Sequence, residues 1–125
     1  MLIRNVQTTD ATPITMPGVK GVSMRIMVGR ADGAPGFAMR HFTVEPGGWT
    51  PHHSHNYEHE IYVVSGKGKA ENDGEFHDIQ AGDVLLIEAN TVHQFSNPGS
   101  EPFAFLCMVP IEFDCGSGMA PTPGS

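Results

Sequence analysis

Basic residues are scarce in this chain of 125 residues, with seven Lys and Arg against fourteen Asp and Glu and a formal net charge of −7 at pH 7. The seven are scattered singly, so no basic stripe is available to neutralise phosphates, and no nucleic-acid partner is expected. Long apolar runs are missing as well. Nothing approaches the roughly 18 residues that a membrane helix needs, and the start "MLIRNVQTTD" shows neither a signal-type apolar stretch nor a small-residue cleavage site. The expectation is a cytoplasmic protein without a membrane partner. Cysteine is down to two, Cys107 and Cys115, with neither the spacing of a metal knuckle nor the density of a disulfide scaffold. Cys107, inside an apolar run, is expected to be buried, and Cys115 near the end to be exposed.

Helical periodicity is not sustained over three turns anywhere, and 15 Gly and 10 Pro argue against long helices. What is present is a series of short β-branched and aromatic runs closed by Gly, Pro, Asn or Asp, the mark of an all-β sandwich or barrel in a single domain. The spacing predicts strands over 24–28, 37–44, 53–64, 67–71, 75–79, 83–87, 93–96 and 103–109. "ENDGEF" is the clearest hairpin, because Asp73-Gly74 can supply the positive-φ pair of a tight turn. Residues 1–22 read as an arm or edge strand, 23–113 as the barrel, and 114–125 as a flexible tail with little to bury.

Histidine is concentrated. "PHHSHNYEHE" holds four of the seven, at 52, 53, 55 and 59. Residues i and i+2 of a strand share a face, so His53 and His55 offer two imidazoles side by side. On the following run, His59, Ile61, Val63 and Ser65 share one face, and Glu58, Glu60, Tyr62 and Val64 the other. With the first set inward, His59 extends the imidazole cluster and both glutamates point away. His-X-His alone is an unspecific signal, since a single histidine is more often structural than ligating.

The wider spacing resembles the cupin family. Its first motif, G-x5-H-x-H-x3,4-E-x6-G, is matched from Gly47 through His53 and His55 to Gly66, and its second, G-x5-P-x-G-x2-H-x3-N, by Gly82, His93 and Asn97. Two positions depart: Glu88 stands for the usual proline, and Asn90 for a glycine that asparagine can imitate in left-handed geometry. The usual glutamate ligand departs too. Counting six residues back from Gly66 reaches His59, whereas Glu60 fits only a shortened gap and remains the alternative ligand. "FAMRHFTVEPGG", "HSHNYEHEIYVVSG" and "FLCMVP" are similar to the small bacterial four-histidine manganese cupins.

That resemblance implies a jelly-roll barrel, or double-stranded β-helix, with His53, His55, His59 and His93 around one divalent transition metal. Manganese is favoured and iron comes second, while zinc, nickel and copper stay open because imidazole suits them all. It also implies a homodimer formed through amino-terminal strands, with "MRIMV" as the segment concerned. Four neutral imidazoles leave a divalent ion with its full +2 charge and room for further ligands, which favours an oxidoreductase, a dioxygenase or peroxide-using oxygenase, acting on a small, partly apolar molecule. The alternatives are a non-catalytic metal or small-ligand binding module and a metal-dependent isomerase or lyase.

Arg40, Ile61, Phe95, Phe105 and Cys107 are the candidate pocket residues. Ordinary barrel core is the competing reading for the apolar ones, and a snorkelling surface position for Arg40. His41, His52 and His77 are read as solvated or interface residues without a role.

Overall fold

The structure, a computed structural model, describes residues 1–114. Cys115 and the rest of the expected tail lie outside the described residues. Asp114 does not behave as tail: it is buried, and its carboxylate accepts a hydrogen bond from the Arg30 backbone N–H at 2.6 Å.

Nine strands form: β1 Thr12–Pro13, β2 Lys20–Val28, β3 Phe37–Trp49, β4 His59–Ser65, β5 Lys67–Asn72, β6 Glu75–Gln80, β7 Val84–Ile87, β8 His93–Ser96 and β9 Phe103–Pro110. They make one antiparallel sheet in the order β6-β5-β8-β3-β9-β4-β7, with β2 also on β3 and β1 on β2. The fold is all-β, of the single-domain jelly-roll kind. Its long strand β3 pairs with β2 and β9 along Phe37 to Val44 and then turns at Gly47 and Gly48 to meet β8 at Trp49. Gly47 takes φ +80, a conformation that glycine adopts without strain. The hairpin predicted at Asp73-Gly74 is present, both residues having positive φ, between β5 and β6.

Alternation fills the interior. Phe42 and Val44 of β3, Ile61 and Val63 of β4, Phe95 of β8, and Phe103, Phe105 and Val109 of β9 are all buried in one cluster. The opposite face of β4 and β7 stays exposed at Tyr62, Val64, Val84 and Leu86, as the parity of β4 predicts.

Three expectations need correction. The run 53–64 is not one strand: β4 starts at His59, and His53 pairs with His93 in an isolated bridge. Arg40 is not a surface residue but fully buried, inward-facing with Phe42. His41 is buried as well, although it lies on the outer face. That face is roofed by the amino-terminal arm, whose Arg4 donates to the Met27 carbonyl at 2.7 Å and pairs with Asp32 at 3.1 Å, and which shares a cavity with His41, Tyr62 and Leu106. His52 and His77 are solvated as expected, although His52 holds Glu71 at 2.7 Å.

Candidate metal centre

The sheet brings the two histidine-bearing segments together by backbone hydrogen bonds. Thr50 N–H donates to the Phe95 carbonyl at 2.8 Å, His53 N–H to the His93 carbonyl at 3.2 Å, and His93 N–H back to the His53 carbonyl at 2.9 Å. The ladder leaves His53, His55 and His93 with one ligand-type nitrogen each, all within 4.8 Å of one another. Ring centroids lie 5.2 Å apart for His53 and His55, 4.7 Å for His53 and His93, and 5.0 Å for His55 and His93. His59 enters from the start of β4, its ring 4.3 Å from His55 and 5.2 Å from His93. Glu60 and Glu58 are exposed on the far side, so no carboxylate joins this cluster among the described residues.

The second nitrogens are spoken for by the backbone. His55 Nδ1–H donates to the Tyr57 carbonyl at 2.9 Å and His93 Nδ1–H to the Thr91 carbonyl at 3.0 Å, since a carbonyl can only accept. Each ring then keeps its Nε2 lone pair. Both ring nitrogens of His53 are buried with no well-formed side-chain or backbone hydrogen bond, the Pro51 backbone being the group near them, and a bound ligand would complete their bonding. Three imidazoles with lone pairs to give, two of them with tautomers fixed by backbone carbonyls, suit a transition-metal cation.

Protonation also suits one. Burial, followed by the nearby rings of His93 and His55, pushes His53 down to about 4. Burial and then His93 push His55 down to about 4. Burial, His55 and the Arg40 guanidinium hold His59 far below the ordinary histidine range. These rings are neutral at physiological pH, the form in which imidazole ligates.

Beneath the histidines lies an aromatic floor. Phe95 is 6.3 Å from His93 and 5.1 Å from Phe105, and Phe105 stacks on Phe42 at 5.4 Å. Ile61, Phe95, Phe105, Arg40 and Cys107, the five residues proposed from sequence for the pocket, are all sealed from solvent. Arg40 lies over the Phe42 ring at 5.1 Å, and its Nη2–H donates to Cys107 Sγ at 3.3 Å. Cys107 Sγ is 3.0 Å from His59 Nδ1. Sequence reasoning missed Tyr57, whose ring stacks on His55 at 3.9 Å and on Phe113 at 3.8 Å. Its i+2 spacing from His55 was the available signal, obscured because 54–58 is irregular.

Residues 40–109, which include every histidine of the cluster, match the family model described as Cupin domain. The chain belongs to the cupin family. Among solved cupin-like structures, it is similar to the polyketide cyclase RemF from Streptomyces resistomycificus, with TM-score 0.84 and 29% identity over 89% of this chain and 80% of that one. It is also similar to a predicted oxalate decarboxylase from Thermotoga maritima, with TM-score 0.78 and 25% identity over 88% and 99% of the two chains. The 1-methylthio-D-xylulose 5-phosphate methylsulfurylase of Rhodospirillum rubrum is 33% identical over 76 residues, which are 61% of this cupin and 49% of that protein. The match thus spans about half the length of this curated relative. These likenesses are to enzymes of different chemistry.

Proposed function

We propose that this cupin is a metal-dependent oxidoreductase, a dioxygenase or peroxide-using oxygenase, that acts on a small, partly apolar organic molecule. His53, His55, His59 and His93 are its ligands in this reading. The observation that carries it is the wholly imidazole donor set: ligand atoms of His53, His55 and His93 within 4.8 Å of one another, His59 against His55, and Glu60 turned out to solvent.

Manganese is the proposed ion and iron the next, on the likeness to four-histidine cupins. When bound, it would supply Lewis acidity and electron exchange at coordination positions the protein leaves open. The chain's own part is to present neutral imidazoles, to exclude water with Phe42, Phe95 and Phe105, and to hold the one buried guanidinium of the barrel interior, Arg40, on the same side as His59. We place the protein in the cytoplasm as a homodimer paired through β2, whose outer edge is covered by the short strand β1 at Ser23 and Met24 and by Ile14 N–H on the Val22 carbonyl at 2.9 Å.

A second reading, Lewis-acid catalysis without net redox, is favoured by the likeness to the polyketide cyclase. Elemental analysis of the purified protein, followed by oxygen and peroxide consumption with a panel of small substrates, separates the two. Stoichiometric manganese or iron, with turnover lost in His53→Ala and His59→Ala, supports the oxygenase. Substrate conversion without oxidant consumption supports the second reading, and tightly held zinc with no conversion at all supports a binding module.

A further inference from the structure

The histidine cluster leaves little room for an organic molecule on its inner side. His59 and His93 are 0% and 1% exposed, and Phe42, Phe95 and Phe105 fill the barrel beneath them to the same degree. The half-buried members of the cluster are His53 and His55, so a substrate meets it on their side. The next ring outward from His55 is Tyr57, parallel to it at 3.9 Å and 8°. Beyond Tyr57 comes Phe113, parallel again at 3.8 Å and 8°.

Phe113 differs in kind from the rings beneath the cluster. Phe42, Phe95 and Phe105 sit in strands and are sealed, whereas Phe113 is half-buried and belongs to a single 3-10 turn, Ile111–Phe113, none of whose residues is fully buried. The turn is fastened at both ends. Ile111 N–H donates to the Gly36 carbonyl at 3.1 Å. The Asp114 carboxylate accepts from Arg30 N–H at 2.6 Å and lies 3.8 Å from the Arg30 guanidinium. Gly29 makes room for that carboxylate, since a Cβ there would stand 2.8 Å from Asp114 Oδ2. Residues 111–114 therefore form a strap from the end of β9 to the residues just after β2, and Phe113 is the ring that the strap lays on Tyr57.

A parallel stack asks for flatness and little else, so another planar ring can make the contact that Phe113 makes. We propose that the outer face of Tyr57 is a binding site for a planar aromatic ring of the substrate, and that Phe113 occupies this site as a lid until such a ring displaces the strap. The proposal deepens the reading of a small, partly apolar substrate, and it rests on that reading only in calling the bound ring a substrate's. A molecule held there stands one side chain away from His55. A saturated ring of the same size is puckered, cannot lie flat against the phenol and leaves Phe113 in place.

The test uses the full chain without added metal, 2-naphthol as the planar probe and decahydro-2-naphthol as its puckered counterpart. Proton NMR is expected to show 2-naphthol shifting the ring signals of Tyr57 and His55 and abolishing the nuclear Overhauser contacts between Tyr57 and Phe113, while decahydro-2-naphthol leaves those contacts intact. Phe113→Ala removes the internal competitor and is expected to bind 2-naphthol about three- to tenfold more tightly. Asp114→Ala unfastens the strap with every ring kept, and is expected to move the affinity the same way. The proposal is overturned by no measurable binding of 2-naphthol, by Tyr57–Phe113 contacts that persist when the probe is saturating, by equal binding of the two probes, or by an unchanged affinity in both variants. The first two readings need no variant to fold. No metal and no turnover enter the measurement, so its failure is distinct from that of the oxygenase reading: ring binding found together with no oxidant consumption leaves this site standing and removes that reaction.

Discussion

His53 and His93, far apart in the chain, are tied to each other in both directions, each backbone N–H reaching the other's carbonyl, at 3.2 and 2.9 Å. This isolated bridge is what turns two separate motifs into one cluster. The clustering of the histidines therefore depends on the same backbone contacts that close the sheet, and a substitution that loosens this seam is expected to weaken both.

Asn97 clamps the seam. Its Nδ2 donates to the carbonyls of Val44 at 2.9 Å and Glu101 at 2.7 Å, and its Oδ1 accepts from Gly99 N–H at 3.0 Å, all in a residue that is 1% exposed. Asn97→Ala leaves buried backbone groups without partners and is expected to cost about 2–4 kcal/mol. Urea unfolding checks this; a loss below about 0.5 kcal/mol would mean that water replaces the amide at no cost.

Gly66 is required for space as much as for angle. Its φ is +78, and a Cβ there would meet the Pro102 carbonyl oxygen at 2.2 Å, a backbone atom that cannot step aside. Gly66→Ala is expected to lose about 3 kcal/mol or more, visible as a lower Tm or as insoluble protein. Gly74→Ala, with no neighbour within 4 Å, pays only for its backbone angle and is expected to lose about 1 kcal/mol.

The metal-free protein should lose stability on acidification within a defined window. His53 and His55 have folded values of about 4 against 6.5 for the free side chain. Between these values the unfolded chain binds protons that the folded chain refuses, so stability is full above about pH 6.5 and falls as pH drops towards 4. After allowance for partial exposure the loss is about 2–3 kcal/mol per ring. Urea midpoints measured from pH 7.5 to 4 are expected to fall mainly below 6.5, and the drop should shrink in the His53→Phe, His55→Phe double variant; an equal drop in both proteins would sink the assignment.

Tyr57 holds the His55 ring by stacking, 3.9 Å and 8° between the two. Tyr57→Leu keeps bulk and the backbone carbonyl but removes the aromatic contact, worth about 0.5–1.5 kcal/mol. A divalent ion such as Zn2+ is expected to bind about two- to tenfold more weakly, with the Nδ1–H of His55 unchanged by NMR because its carbonyl partner stays. Unaltered affinity would show that the backbone carbonyl alone orients His55.

Much of the site was legible in the sequence because its ingredients are local. Alternation along β4 correctly put His59, Ile61 and Val63 inside and Glu58 and Glu60 outside but failed at Ser65, which is exposed past a register shift after Val63, and the αL geometry expected of Asn90 is present at φ 68. His53 and His55 were brought together for the wrong reason: they do not share a regular strand, and His53 is placed by its bridge to His93 while the His55 ring is held by Tyr57.

By itself, then, the sequence determined the all-β class, the positions of the turns, the inward face of β4 and the concentration of histidine in two motifs, since each follows from short-range periodicity, turn chemistry or motif spacing. Only the tertiary structure decided which residues those faces meet. It buried His41 by folding the amino-terminal arm over the outer face, enclosed Arg40, and set Cys107 between Arg40 and His59. Such outcomes depend on the register of strands distant in the chain and on what covers a sheet, and neither leaves a local trace in the order of residues.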